Sequence, residues 1–427
     1  MNRETVTRLI TTNKDRKILS LIMLLGILLR LYGIFHGFPY IFHPDEPALV
    51  RSGIGIRFQI NPHHFDWPHL YFYVNYFLYS AFAYGRDILV SVGLKATISN
   101  LIPLLWNDKL IFYYLSRILT SAIGAITVVP IYLAAKELFS NKAGLMAALA
   151  VTLTPLLVIY SKLALPDIPM LFFMCWYIYF SSKIYKNATT KDYILAGIFL
   201  GLSASTKYHG ELSFIYIVLI HLYKYRLNLN NFLNLLLTGL FSIIGLLIGS
   251  PFILLDFNTF IRHDSPQGAL WQFTNVGNVS TTLQIKAFLN YFSIQSAENS
   301  GYYILYALIA NILITMLLII IRKTNENTKK LIFLYIPAIT FIYIISGFSK
   351  NMPHYYFIAY PFLILGFSYL SKNMLDYIPQ RALKILILIM IFIPMLLISI
   401  KKTNELMNIR AGTAYGGEIS KYTEIID

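Results

Sequence analysis

Long apolar runs recur along the whole chain. About 20 mainly apolar residues are needed to cross the roughly 30 Å of bilayer hydrocarbon. Runs that reach or approach this length are centred on residues 18–35, 111–135, 143–160, 168–182, 193–206, 211–223, 232–253, 303–321, 331–347, 355–371 and 383–400. Charged residues make up only 13% of the 427 positions, about half of the ~25% usual in soluble proteins. The sequence therefore predicts an all-α polytopic membrane protein with about 11 (11–13) transmembrane helices.

The net charge of +15 indicates a membrane orientation and not nucleic-acid binding, because the positive residues lie in short clusters between apolar runs. With the N-terminus in the cytoplasm, the short outer connections hold only Lys162, Lys207 and Lys350. This asymmetry follows the positive-inside rule. It predicts an integral membrane protein whose two large loops, residues 36–110 and 254–302, face the extracytoplasmic side.

Two adjacent carboxylates stand just beyond the first apolar run. Asp45 and Glu46 follow Pro44, and the stretch from Ala48 to Arg57 has the pattern of an amphipathic helix along the membrane surface. Their simplest role is structural, with Asp45 as the N-cap of that helix and Glu46 in its first turn. A cap position also fixes a carboxylate in space, so a catalytic role is compatible with it.

Asp167 and Lys207 are further candidates near the outer ends of apolar runs. Asp167 stands between Pro166 and Pro169, where it is expected either to cap a helix or to cap it and line an active site. Lys207 lies at a short outer turn, and such turns normally lack positive charge. It either extends its ammonium group to the interface or binds an anionic phosphate group.

Other positive and imidazole side chains recur in the outer segments. His209 lies beside Lys207, Arg262 lies early in the second large loop, and His354 lies at the following outer turn. Each alone is ordinary at a membrane interface, but together they are expected to ring one face with cations around the carboxylates. Arg30, late in the first run, is expected to form a structural ion pair that steadies the carboxylate loop.

Several short motifs occur in an order that resembles a known family. They are Leu29-Arg30-Leu31-Tyr32-Gly33, Pro44-Asp45-Glu46, Pro68-His69-Leu70-Tyr71-Phe72-Tyr73, Ser116-Arg117, the segment from Lys136 to Phe139, the segment from Ser161 to Asp167, the segment from Gly201 to Tyr208, Ser250-Pro251-Phe252 and His354-Tyr355-Tyr356. Over nearly the whole chain this pattern resembles the polyprenyl-phosphate-sugar-dependent glycosyltransferases of the C type (GT-C), which include protein O-mannosyltransferases and the aminoarabinose transferases of lipid A. The resemblance implies a GT-C helix bundle with juxtamembrane helices in the first outer loop.

The resemblance also implies an activity. It implies an inverting hexosyl or pentosyl transferase that moves a sugar from a polyprenyl-phosphate donor to a glycan, lipid or protein acceptor outside the cytoplasm. Asp45 would be the catalytic carboxylate, Glu46 its neighbour in the motif, and Asp167 a second acidic group lining the site. A catalytic transmembrane domain would cover residues 1–401, and residues 402–427 would form a short extracytoplasmic tail.

The residue types suit this chemistry because a phosphate ester leaves without needing a proton. The protein must supply a base for the acceptor, for which Asp45 is suited, and positive charge for the departing phosphate. Lys207 and Arg262 suit the phosphate, with His209 and His354 as weaker candidates.

Two alternatives stay open from the residues alone. Asp45, Glu46, Asp167 and a histidine could hold Mg²⁺ or Mn²⁺, although their spacing matches no compact metal motif. A transporter or flippase of lipid-linked sugars, or a non-catalytic subunit of envelope assembly, would also explain the hydrophobicity. Transporters typically show inverted repeats and polar groups at the bilayer midplane, and neither is visible here.

Overall fold

The computed structural model describes residues 13–225, 229–275, 277–293, 298–409 and 424–425, and most of these residues are helical. In chain order the α-helices are α1 (Asn13–Leu31), α2 (Asp45–Gly55), α3 (Leu70–Ser91), α4 (Lys95–Leu101), α5 (Ile111–Ile126), α6 (Val128–Leu138), α7 (Asn141–Leu153), α8 (Pro155–Tyr160), α9 (Asp167–Lys186), α10 (Thr190–Ala204), α11 (Phe214–Tyr225), α12 (Leu229–Gly249), α13 (Phe252–Leu255), α14 (Phe257–Phe260), α15 (Ala269–Asn275), α16 (Thr281–Asn290), α17 (Tyr303–Ile320), α18 (Glu326–Ser346), α19 (Tyr360–Tyr377) and α20 (Arg381–Met407). Short 3₁₀ segments cover Pro103–Trp106, Tyr208–Ser213 and Pro353–Ile358.

Five stretches of helix in the described residues are long and apolar enough to cross a bilayer. They are α5 and α6 together (Ile111–Leu138), Phe232–Gly249 in α12, α17, α18 and α20. α5 continues into α6 because Thr127 keeps helical backbone angles and its N–H bonds the carbonyl of Ile123. These helices and the composition make the chain an integral membrane protein. The predicted number of eleven spans is not confirmed, because the other predicted runs form helices that are shorter, interrupted or more polar.

Proline causes one of these interruptions. The predicted run 143–160 is divided, with α7 ending at Leu153 and α8 beginning at Pro155. Thr154 between them has an extended backbone, with φ −60° and ψ 116°. Proline has no N–H to continue the hydrogen bonds of the preceding helix, and it disfavours helical angles in the residue before it.

Glycines allow α10 and α12 to pack backbone to backbone. Each helix carries a Gly-x-x-x-Gly motif, from Gly197 to Gly201 in α10 and from Gly245 to Gly249 in α12. A Cβ added at Gly245 would lie 2.5 Å from a carbonyl oxygen of α10, and one at Gly201 would collide with the backbone of α12. Small residues permit such close approach between membrane helices. The contact holds the C-terminal end of α10, after which the chain turns into the 3₁₀ segment Tyr208–Ser213.

The first large loop folds against the membrane helices. It contains α2, α3, α4 and the 3₁₀ segment Pro103–Trp106, which confirms the prediction of helices in this loop. Leu49 of α2 and Phe72 of α3 are fully buried and share an apolar cluster with Leu163. α2 therefore rests on the segment that joins α8 to α9.

Residues that the sequence analysis assigned to the tail begin in helix. α20 continues six residues beyond Lys401, to Met407. A two-stranded antiparallel sheet pairs β1 (Tyr40–Ile41) with β2 (Glu424–Ile425) and is the only β-sheet in the part of the chain that the structure describes. The rest of the predicted tail, residues 410–423 and 426–427, lies outside the described residues.

Candidate active site

Two helices begin with a Pro-Asp pair, and each places its aspartate at the candidate site. Asp45 is the first residue of α2 and Asp167 is the first residue of α9. The N-cap is the preceding proline in both cases, and neither helix has a side-chain cap hydrogen bond. This corrects the expectation that the two aspartates serve as N-caps. Their carboxylates lie where the helix dipole favours negative charge, and they are available for other contacts.

Asp167 pairs with Lys207. The Lys207 ammonium donates to Asp167 Oδ1 at 2.6 Å. The Asp167 side chain is 4% exposed and that of Lys207 is 13% exposed, so water screens the pair weakly. The Lys207 Nζ atom also lies 5.1 Å from the centre of the Tyr355 ring, within the range of a cation–π contact. An ammonium has three N–H donors, and the Asp167 bond uses one of them.

The 3₁₀ segment Pro353–Ile358 brings His354 and Tyr355 to this pair. His354 Nδ1 lies 2.8 Å from the hydroxyl of Tyr160 at the end of α8. The His209 ring stacks on Tyr355, with ring centres 5.6 Å apart and planes 18° apart. His209, His354 and Lys207, all predicted from the outer turns, are thus gathered around Tyr355 and Tyr160.

Asp45 approaches the same group from the first outer loop. Its carboxylate and that of Asp167 both lie close enough to Tyr355 to act on the phenol electrostatically. The Asp45 N–H bonds His43 Nδ1 at 3.3 Å, and the His43 ring packs edge-on against Tyr160. The Asp45 side chain is partly exposed, and its carboxylate makes no ion pair with any described residue. It is therefore the free carboxylate of the cluster.

The two histidines are neutral at neutral pH. Burial lowers the pKa of His354 to about 3 and the pKa of His209 to about 4. His209 Nδ1 is also buried and has no hydrogen-bond partner among the described residues. The two histidines therefore do not add to the expected ring of cations: Lys207 supplies the positive charge of this cluster, and the imidazoles offer neutral donors and acceptors.

Glu46 does not stand beside Asp45 at the site. Its side chain is fully buried and accepts two hydrogen bonds from Arg117, at 2.8 and 2.7 Å, and a third from the Ala164 N–H at 2.7 Å. Burial favours the neutral acid, but the Arg117 guanidinium outweighs it and holds the pKa of Glu46 below its usual value. Successive helical residues point about 100° apart, so Asp45 and Glu46 face different surroundings. The expected pair of neighbouring carboxylates is therefore not formed.

Arg117 is a buried structural residue next to the site to which the sequence analysis assigned no role. Besides Glu46, it donates to the carbonyls of Ile34 and His36 at 3.1 and 2.9 Å, and it lies 4.7 Å from the centre of the Phe38 ring. It thereby ties the start of the outer loop to α5. The available signal was an arginine inside an apolar run, which rarely occurs without a specific partner.

Arg30 does not form the ion pair that was expected of it. It is fully buried, and its guanidinium donates to Ser161 Oγ and to the carbonyls of Gly26, Val151 and Thr152 at 3.1–3.3 Å. Neutral oxygens satisfy the guanidinium because α1 packs where α7 meets α8, and the Glu46 carboxylate is bonded to Arg117 instead. Arg30 is a structural residue, but Arg117 is the arginine that steadies the carboxylate loop.

Arg262 lies apart from the cluster. It is exposed and pairs with Asp264 on its own loop, with Nε 3.1 Å from Oδ1. Among the described residues its side chain makes no hydrogen bond or ion pair with Asp45, Asp167 or Lys207, and its part in phosphate binding stays a prediction.

The described residues do not assemble a metal site from the predicted carboxylates. No group of three His, Cys, Asp or Glu side chains converges within the described ranges. Glu46 is engaged by Arg117 and Asp167 by Lys207, so two of the three carboxylates proposed as ligands already have cationic partners. Use of Mg²⁺ or Mn²⁺ therefore stays a prediction, with Asp45 as the one proposed carboxylate ligand that has no cationic partner among the described residues.

The sequence matches one protein family over part of its length. Residues 114–254 match the family described as dolichyl-phosphate-mannose-protein mannosyltransferase. No curated protein sequence gives a significant match.

Solved membrane-protein structures resemble this chain over most of its length. One is the archaeal oligosaccharyltransferase AglB from Archaeoglobus fulgidus, in complex with an inhibitory peptide and a dolichol-phosphate. Its TM-score is 0.56 at 14% identity, and the match covers 92% of this chain and 56% of the AglB chain. Apo ArnT from Cupriavidus metallidurans has a TM-score of 0.54 at 13% identity, covering 85% of this chain and 60% of its own. ArnT bound to undecaprenyl phosphate has a TM-score of 0.53 at 13% identity, and the match covers 84% of this chain and 60% of ArnT. This chain thus spans less than two thirds of these proteins, and it has the GT-C glycosyltransferase fold.

Proposed function

We propose that this protein is an inverting glycosyltransferase that moves a sugar from a polyprenyl-phosphate donor to an acceptor hydroxyl or amine outside the cytoplasm. The observation that carries the proposal is that Asp45 and the Asp167–Lys207 pair lie near the same ring, that of Tyr355, and that Asp45 makes no ion pair with the described residues. The dolichol-phosphate bound to AglB and the undecaprenyl phosphate bound to ArnT support this donor class.

The proposed reaction is a direct displacement. The acceptor oxygen or nitrogen attacks the anomeric carbon, the bond from that carbon to the phosphate oxygen breaks, and its electron pair leaves with the lipid phosphate. Asp45 takes the proton of the acceptor as general base, a role that typically contributes about 10²–10⁴-fold in rate. Attack opposite the leaving group inverts the anomeric centre.

Lys207 is proposed to stabilise the departing phosphate. Its two remaining N–H donors can bind phosphate oxygens, and Asp167 holds the ammonium in place. His209 lies beside it with an unpartnered buried Nδ1, which suits a neutral hydrogen bond to the donor. A positioned cation of this kind can neutralise the charge that develops on the departing phosphate.

The proposed orientation places the N-terminus in the cytoplasm and the cluster on the extracytoplasmic side. The positive-inside count supports it, because the lysines and arginines of short connections concentrate on the other side. Asp45 belongs to the first large loop, and Lys207 and His354 belong to outer turns in the same arrangement. We therefore propose that donor and acceptor meet outside the cytoplasm.

A transfer assay on the full-length protein in lipid nanodiscs tests the proposal. Undecaprenyl-phosphate mannose, glucose and aminoarabinose, each labelled in the sugar, are supplied with an extract of envelope glycans and lipids. The expected result is a labelled product with at least one donor, formed at least about 100-fold more slowly by Asp45→Asn and at the wild-type rate by Asp87→Asn, a matched change at an exposed aspartate of α3. Product formation by Asp45→Asn at the wild-type rate would refute the assignment. Passage of intact donor across vesicles that contain the protein, without product, would indicate a transporter.

A further inference from the structure

A cavity of about 270 Å³ lies next to the candidate active site and takes no part in the mechanism above. Its polar lining comes from three asparagines, Asn290, Asn299 and Asn351, and its aromatic lining comes from Tyr291, Tyr356 and Tyr360. No charged side chain lines it within the part of the chain that the structure describes. This is unusual next to a cluster of carboxylates and a lysine, and it indicates a ligand without charge.

The cavity and the candidate site share two short elements. On α8, Leu156 lines the cavity, whereas Tyr160, one turn later, bonds His354 at the site. In the 3₁₀ segment Pro353–Ile358, Tyr356 lines the cavity, whereas the preceding Tyr355 lies against Lys207. One helical turn rises about 5.4 Å, so the cavity and Tyr160 are about one turn apart along α8, and the cavity adjoins the candidate site along both elements.

The lining suits the hydroxyl groups and apolar ring faces of a sugar. A carboxamide offers two donors and an acceptor, which matches neighbouring hydroxyls that both donate and accept. Asn351 Nδ2 donates to the Tyr356 hydroxyl at 2.7 Å and keeps its oxygen free of described partners. Tyr291 and Tyr356 pack with ring centres 4.5 Å apart, which gives a rigid aromatic wall.

We propose that this cavity binds the acceptor as a neutral saccharide, presenting one hydroxyl toward Asp45. This inference rests on the proposed function, since it names the acceptor class for that reaction. The volume falls just below the range typical of drug-sized ligands, which suits a single sugar residue at the end of a longer glycan. The absence of a charged lining disfavours an acidic or basic acceptor group.

Ligand-observed saturation-transfer NMR tests the cavity without any donor present. The protein in nanodiscs is mixed with methyl α-mannopyranoside, methyl β-glucopyranoside or a neutral Ser/Thr-containing peptide. We expect saturation transfer to at least one glycoside. Ala287→Trp, which fills the cavity from α16, should abolish it, and Asn299→Ala should weaken binding about fivefold, as expected for one neutral hydrogen bond. Ile285→Trp, on the exposed face of the same helix, should change nothing.

Binding of undecaprenyl phosphate, measured by native mass spectrometry, separates this inference from the proposed function. It should be the same in the wild-type protein and in all three variants, which also shows that they are folded. Three results would overturn the cavity assignment. They are equal glycoside binding by Ala287→Trp and the wild type, binding of the peptide alone, and no glycoside binding by a protein that transfers sugar. The opposite case is also distinguishable. If Ala287→Trp abolishes glycoside binding but the protein transfers no sugar from any lipid donor, the cavity assignment stands and the proposed function is overturned.

Discussion

The Lys207 ammonium donates to the Asp167 carboxylate at 2.6 Å, although the two residues are 40 positions apart. This pair joins the outer turn after α10 to the first residue of α9, and both side chains are mostly buried. It places the Lys207 ammonium beside the ring of Tyr355. The Asp167 carboxylate balances its charge and holds it in one position. Such a preorganised cation suits the stabilisation of a departing phosphate.

Removing this cation should chiefly weaken the use of the donor. In Lys207→Ala we expect KM for the polyprenyl-phosphate sugar to rise about 10- to 100-fold, the equivalent of one hydrogen bond to a charged group. The KM for the acceptor should stay near its wild-type value. Steady-state kinetics with each substrate varied in turn checks this. Lys350→Ala, at an exposed outer turn, is the matched control, and an unchanged donor KM in Lys207→Ala would argue against the phosphate role.

The buried pair of Glu46 and Arg117 should matter for folding. Leaving one partner of a buried ion pair without the other typically costs about 3–5 kcal/mol. Glu46→Gln and Arg117→Leu should therefore each lower the midpoint of thermal unfolding more than Asp45→Asn does. Thermal denaturation of the detergent-purified protein measures this. A single variant as stable as the wild type would show that the pair does not hold the outer loop.

Neutral histidines predict a simple pH dependence. The pKa of His354 is lowered to about 3 and that of His209 to about 4, so the neutral forms prevail above those values and protonation begins only as the pH falls toward them. The transfer rate should therefore show no inflection near pH 6.5, where an exposed imidazole titrates. Initial rates between about pH 5 and 8 test this. An inflection near 6.5 that disappears in His354→Gln would contradict it.

Close packing of α10 against α12 predicts a difference between two glycines of the same helix. Gly245→Ala should destabilise the protein, because its methyl group would lie 2.5 Å from a carbonyl oxygen of α10. Gly239→Ala should be neutral or slightly stabilising, because nothing lies within 4 Å of an added Cβ there and alanine favours helix. Thermal unfolding of the two variants side by side checks the expectation. Equal midpoints would show that α10 and α12 do not depend on this contact.

The fold class and the members of the cluster could be predicted because each leaves a local signal. Apolar runs indicate spans whatever their partners, and Asp45, Asp167 and Lys207 stand out as charges at the ends of such runs. The pairing of distant residues leaves no such signal. Glu46 meets Arg117 71 positions away, so its burial could not be read from its place beside Asp45.

Predictions from neighbouring residues also failed at positions that follow a proline or are buried. Both aspartates were expected to cap helices, but the preceding proline takes the cap position in each. His354 was expected to carry charge, but burial keeps it neutral. Arg30 was assigned an ion pair because a buried guanidinium usually needs one, whereas neutral oxygens of α1, α7 and Ser161 satisfy it.

The central claim is that Asp45 acts in the chemical step while Lys207 holds the lipid phosphate. Single-turnover sugar transfer by Asp45→Asn, at donor concentrations that saturate the wild type, tests it most directly. The predicted result is a rate lower by about 10²–10⁴-fold with unchanged affinity for undecaprenyl phosphate. A single-turnover rate within about twofold of the wild type would contradict it, because that change corresponds to less than one kcal/mol of the barrier.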